Sequence, residues 1–166
     1  MEDYQEKIRQ LSLAQNRIDG LYYQVARKLG VKDNTLALLY ALDDGQPHSQ
    51  KQLCEEWLIP KTTINTIVKE LAAEGFLLLI IEEHTREKRI CLTPKGRRYA
   101  SSLLSPVYRM EQEALRRTLQ EHGSAFIEAN AAFARNLKES FDRFFARPAD
   151  PEDSGEQKAD PEKDGK

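Results

Sequence analysis

Residues 49–96 constrain the fold more than any other part of the chain. Ser49 followed by Gln52 matches a capping box, in which each side chain satisfies a backbone amide of the other. A short helix carrying Leu53, Cys54 and Trp57 follows, and Leu58-Ile59-Pro60 turns the chain. Pro60 suits the entry to a second helix, because the first turn leaves N–H groups unpaired and the ring holds φ near its helical value. In that helix, residues 61–74, a rotation of about 100° per residue gathers Ile64, Ile67, Val68, Leu71 and Ala72 on one side. Gly75 ends it, and residues 76–81 form a continuous apolar run expected to be a buried strand. A polar tip, residues 82–88, leads to a second strand over residues 89–93.

Two helices around a tight turn, then two strands joined by a basic tip, make a winged helix-turn-helix. The remaining chain predicts helices on either side of it. Over residues 4–29, Tyr4, Ile8, Leu11, Ile18, Tyr22, Val25 and Leu29 fall on one helical stripe, which must be covered by something. Gly30 stops that helix, and Asp33 or Asn34 is the expected cap of a second one at residues 35–42, with Leu36, Leu39 and Tyr40 on its apolar face. A loop at residues 43–47 precedes the central stretch. After it, a long helix runs from Pro94 to about Glu121 with an expected kink at Ser105-Pro106, and Gly123 separates it from a last helix at residues 124–146. There Phe126, Phe133, Leu137, Phe141 and Phe144 recur at helical spacing, and with no core for them in one chain they are assigned to a partner copy. The expected class is mainly α (α+β): a winged helix-turn-helix, residues 33–96, between a dimerisation helix at 1–32 and dimerisation helices at 97–146. Residues 147–166, with three prolines and no apolar residue beyond alanine, are expected to be disordered.

Charge placement points to nucleic acid even though the chain's formal net charge is −2. Residues 147–166 carry four basic and seven acidic side chains, a net of −3, which leaves residues 1–146 at +1. Residues 85–98 hold six basic side chains against Glu87 alone, a net of +5 at the wing. The polar side of the second helix presents Thr62, Asn65, Thr66, Lys69 and Ala73, flanked by Thr63 and Glu70. An ordinary amphipathic helix would account for the apolar side equally well. The polar side, however, offers short hydroxyls, an amide and lysines, which fit base edges, thymine methyls and phosphates in a major groove. Arg86 at the tip suits a narrow minor groove, and Lys88 a phosphate.

Other classes find less support. His48, His84 and His122 are scattered, with no carboxylate pair, nucleophile motif or phosphate loop, so an enzyme is not expected, nor a cofactor. Cys54 and Cys91 lack metal-ligand spacing and are too few for a disulfide framework. No apolar run is long enough for a membrane span, and the acidic start lacks the apolar core of a signal peptide, so the expected location is cytoplasmic.

The stretches from Ile59 to Leu71, Glu74-Gly75-Phe76, Arg86-Glu87-Lys88 and Leu92-Thr93-Pro94-Lys95-Gly96, in this order and spacing, resemble the multiple antibiotic resistance regulator (MarR) family of bacterial transcription factors. The resemblance is specific over the central third and architectural from about Ile8 to Phe145. It implies a homodimer of intertwined terminal helices, with recognition helices in successive major grooves of double-stranded DNA and wings in minor grooves. Thr62, Thr63, Asn65 and Thr66 are the expected base readers, Gln50, Lys61, Lys69 and Lys88 the phosphate anchors, and Arg86 the minor-groove element. Two positions depart from the pattern: His84 stands where the family usually has an aspartate orienting the wing arginine, and Thr66 where it often has arginine. The resemblance also implies a repressor released from DNA by a small molecule, often an aromatic acid, bound between dimer arm and DNA-binding lobe; Tyr22, Tyr23 and Tyr40 are candidates to line that pocket. A redox-sensing regulator on the same fold, or a winged-helix module that binds protein, are the alternatives. Neither cysteine lies near the start of the first helix, where thiol-sensing relatives place theirs.

Overall fold

A computed structural model describes residues 3–81 and 88–145. The wing tip with His84 and Arg86, and the acidic tail 147–166, lie outside the described residues. The chain divides into two compact units, Met1–Ala114 and Leu115–Lys166. In order, its elements are α1 (Tyr4–Lys28), α2 (Asp33–Leu42), β1 (His48–Ser49), α3 (Gln50–Trp57), α4 (Lys61–Ala73), β2 (Leu77–Ile81), β3 (Lys88–Leu92), α5 (Pro94–His122) and α6 (Ala125–Phe145).

In the first unit the core gathers around α2. That helix buries Leu36, Leu38, Leu39, Ala41 and Leu42, so it is apolar on more than one side and is enclosed by its neighbours. With Leu38, Leu39 and Leu42, the largest fully buried side chains are Leu53 from α3, Ile64 from α4, Ile90 from β3, and Leu104 and Val107 from α5. Each contributes roughly 1.5–3 kcal/mol by leaving water. The helix starts earlier than its composition suggests. Lys32, not Asp33 or Asn34, occupies the cap position, and its carbonyl accepts from Leu36 N at 3.0 Å with no side-chain cap. Asp33 instead sits in the first turn, where its charge complements the helix dipole.

The sheet has the order β1-β3-β2 and is antiparallel throughout. Leu77 faces Leu92 and Ile81 faces Lys88 across the wing hairpin, while His48 faces Ile90 on the other edge. Strand β1 is absent from the sequence-based reading. The 76–81 run is not a buried strand: Leu77 is buried, but Leu78, Leu79 and Ile81 are 54%, 43% and 69% exposed in the single chain. The second strand ends at Leu92, which frees Thr93 for another task.

Residues 93–96 join three elements. Thr93 Oγ1 accepts from Gly96 N at 2.9 Å, capping α5, and donates to Gly75 O at 2.7 Å. Gly75, at φ 74°, closes α4 in a Schellman turn, with Phe76 N bonded to Leu71 O at 2.8 Å and Gly75 N to Ala72 O at 3.0 Å. Lys95 Nζ reaches Glu74 O at 2.6 Å, placing a cation on the carbonyl end of α4. A β-carbon on Gly96 would collide with the backbone carbonyl of Phe76, so only glycine lets α5 start against the α4–β2 turn. Helix α5 then continues through Pro106, the expected kink position, as one element.

The second unit contains the end of α5, Gly123 at φ 67°, and α6. Helix α6 buries none of its residues in the single chain. Phe141 and Phe144 are 59% and 79% exposed, and Phe141 meets only the ring of Phe145, 5.1 Å away, among the described aromatic contacts. Its polar side is held by Lys138 and Asp142, paired at 2.7 Å one turn apart.

Candidate nucleic-acid interface and adjoining cavity

Helix α3 begins at Ser49, whose Oγ accepts from Gln52 N at 3.1 Å. Among the described residues this half of the expected capping box is present, and the Gln52 amide nitrogen donates forward to Glu56 Oε1 at 2.9 Å. At the other end Leu58 adopts the left-handed conformation, φ 52°, a position that costs a non-glycine residue roughly 1–2 kcal/mol. Ile59, immediately after it, is buried and pins the turn to the core. Pro60 caps α4, whose Ile64, Ile67, Val68 and Leu71 are buried as the sequence pattern requires.

That packing turns the opposite face of α4 outward. Thr62, Thr66 and Lys69 are exposed, and Thr63 and Asn65 half-buried. Thr62, Thr63 and Thr66 line a shallow groove with Lys32, Asp33 and Asn34 from the start of α2. Thr66 Oγ1 donates to Thr62 O at 3.0 Å, so its hydroxyl proton is committed and its oxygen is left to act as an acceptor.

On the other flank a second groove is lined by Gln50, Lys51, Cys54, Glu55, Lys61 and Lys88. Three residues read from sequence as phosphate anchors, Gln50, Lys61 and Lys88, therefore come together from α3, α4 and β3. Lys69, the fourth, stands apart on α4. Lys51, missed in the sequence, joins the groove 3.9 Å from Glu55. Gln50 and Lys61 begin their helices, where free N–H groups and the dipole favour an anion.

Away from these grooves, α1, α2, α3 and the first half of α5 enclose a cavity of about 400 Å³. Tyr22, Tyr40, Trp57, Leu36, Val107 and Glu111 form most of its lining. Tyr22 OH donates to Glu111 Oε1 at 2.6 Å and Tyr40 OH to Glu111 Oε2 at 3.2 Å. The Tyr40 ring sits 5.6 Å from Trp57 and 5.3 Å from Tyr108, whose hydroxyl donates to Asp43 Oδ2 at 2.7 Å. Burial, then the bond to Glu111, pushes the Tyr22 phenol above its usual range; burial and the neighbouring Glu111 carboxylate act the same way on Tyr40. Burial and the bond to Asp43 raise Tyr108 likewise, so all three remain donors around neutral pH. Tyr23, the third tyrosine expected here, does not line the cavity and lies instead beside Arg27, 6.0 Å from its guanidinium carbon. Glu111 and Trp57 carried no sequence signal for this site, since Glu111 meets Tyr22 and Tyr40 across 89 and 71 residues.

Residues 29–89 match the family model described as MarR family. That match covers the winged-helix segment, which is similar to the winged helix of the MarR family. The chain's fold resembles that of the MarR family regulator NMB1585 from Neisseria meningitidis, with a TM-score of 0.72 at 23% identity over 83% of this chain and 98% of that one. The MarR family regulator SPO1453 from Silicibacter pomeroyi DSS-3 aligns with a TM-score of 0.64 at 19% identity, covering 76% and 91%. NadR, solved in complex with 4-hydroxyphenylacetate, aligns with a TM-score of 0.62 at 13% identity, covering 76% and 88%. No curated protein matches the sequence. Among the described residues, no helix is long and apolar enough to cross a membrane, and no His, Cys, Asp or Glu group is arranged to hold a metal ion.

Proposed function

We propose that the protein is a homodimeric, ligand-responsive transcriptional repressor of the cytoplasm, without enzymatic activity, that binds a pseudo-palindromic operator in double-stranded DNA. One observation carries the reading: the start of α4 has short polar groups for base edges on one flank and the Gln50, Lys61 and Lys88 groove on the other. Thr62, Thr63, Asn65 and Thr66 read bases, Gln50, Lys61, Lys69 and Lys88 hold phosphates, and Arg86 enters the adjacent minor groove. The dimer is supported by the exposed apolar stripes of α1 and α6, with Ile8 and Ile18 more than half exposed on one and Phe141 and Phe144 on the other. Covering them with a second copy sets two α4 helices on one face, about one helical turn of DNA apart. Release follows when a small molecule in the Tyr22–Tyr40 cavity favours a conformation with misspaced α4 helices.

Fluorescence anisotropy of the purified protein on duplex DNA between 50 and 200 mM salt tests the reading. A module that neutralises several phosphates loses affinity steeply with salt, whereas a winged helix that binds protein shows no such DNA complex at any salt.

A further inference from the structure

The cavity's polar chemistry is one-sided. Among the described residues of the single chain, its charged lining groups are the carboxylates Glu111 and Asp33, with no lysine, arginine or histidine beside them. The hydroxyls that would greet an anionic ligand are already engaged: Tyr22 and Tyr40 both donate to Glu111, and neighbouring Tyr108 donates to Asp43. A ligand carboxylate would have to break those bonds and sit beside two like charges without a compensating cation. An ammonium group finds the opposite situation. Among the described residues Glu111 accepts from Tyr22 and Tyr40, two bonds against the roughly four lone-pair directions a carboxylate has, so it can accept from a ligand as well. Tyr22, Tyr40 and Trp57 line the cavity with electron-rich rings of the kind that attract a desolvated cation, and Leu36 and Val107 line it for an apolar body.

We infer that the cavity takes an organic cation, an amine or quaternary ammonium on an aromatic or aliphatic body, and not an aromatic acid. The inference rests on the reading of this cavity as the effector site, and it assigns that site a ligand class opposite in charge to the 4-hydroxyphenylacetate bound by NadR.

Trp57 is the chain's single tryptophan and lines the cavity, so its fluorescence reports occupancy. The full chain is titrated at matched ionic strength with benzyltrimethylammonium and, separately, phenylacetate. The expected result is a saturable Trp57 change with the cation at least tenfold tighter than with the acid. Glu111→Gln, which keeps an acceptor for the tyrosine hydroxyls, should weaken the cation at least tenfold and bring the two probes together. Equal or tighter binding of phenylacetate overturns the inference, as does a cation unaffected by Glu111→Gln in a folded variant; if that variant does not fold, Asp33→Asn and the wild-type ratio decide. Silence with both probes rejects the cavity as a ligand site and the inference with it. A cation that binds Trp57's cavity but leaves DNA affinity unchanged upholds the ligand class and removes the effector role.

Discussion

Replacing Lys61 and Lys88 together with alanine isolates the electrostatic part of the proposed DNA contact. Both side chains are exposed and line the Gln50 groove, so their loss should change folding stability by no more than about 0.5 kcal/mol. Each phosphate that a lysine neutralises contributes about −0.9 to the slope of log affinity against log salt. Two lysines in each of two copies therefore account for a slope change of about 3.6. Between 50 and 200 mM salt, that difference means the unmodified protein loses roughly 150-fold more affinity than the double variant. Anisotropy titrations on one operator duplex across a potassium chloride series measure it directly. Gln50→Ala is the matched control, because an uncharged donor holds a phosphate without releasing a counterion; it should lower affinity and leave the slope unchanged. An unchanged slope in the lysine double variant would refute the assignment of this groove to the DNA backbone.

Gly96→Ala should destabilise the protein by about 3 kcal/mol, the upper end of overpacking costs, because the obstacle is the Phe76 carbonyl and not a side chain that can rotate. Denaturant unfolding checks this, and a midpoint equal to wild type would contradict the close approach. Phe141→Glu leaves the single chain almost unperturbed, since Phe141 is already exposed there, but places a charge in the proposed dimer contact; sedimentation should show dissociation or unfolding, and a normal dimer would remove α6 from the interface. Arg86→Ala should weaken operator binding roughly tenfold to a hundredfold with the dimer intact, and undiminished affinity in a shift assay would exclude the minor-groove role.

The helix-turn-helix is legible in sequence because its signals are local. Ile64, Ile67, Val68 and Leu71 repeat at helical spacing and are buried, Ser49 caps α3, and Gly75 closes α4. Elements without a local pattern were not. Two residues, His48 and Ser49, form β1 only because β3 offers Ile90 and Arg89 as partners far along the chain. The 76–81 run looks buried because apolar content alone does not reveal which faces a three-stranded sheet leaves open. At the candidate site, Gln50, Lys61 and Lys88 were each readable as basic or polar residues near the wing. Their convergence on one groove required the register that pairs Lys88 with Ile81. Tyr22 and Tyr40 were identifiable as aromatics, but Glu111, the carboxylate that accepts from both, is brought to them only by tertiary packing.

Selection of the purified protein against random duplex DNA tests the central claim most directly, because it reads DNA binding and two-fold symmetry at once. The account predicts an enriched pseudo-palindrome whose half-sites are centred about 10 base pairs apart, with preferences that shift when Thr62 or Thr66 is substituted. A pool that shows no enrichment over repeated rounds, or a single unpaired half-site, would contradict it.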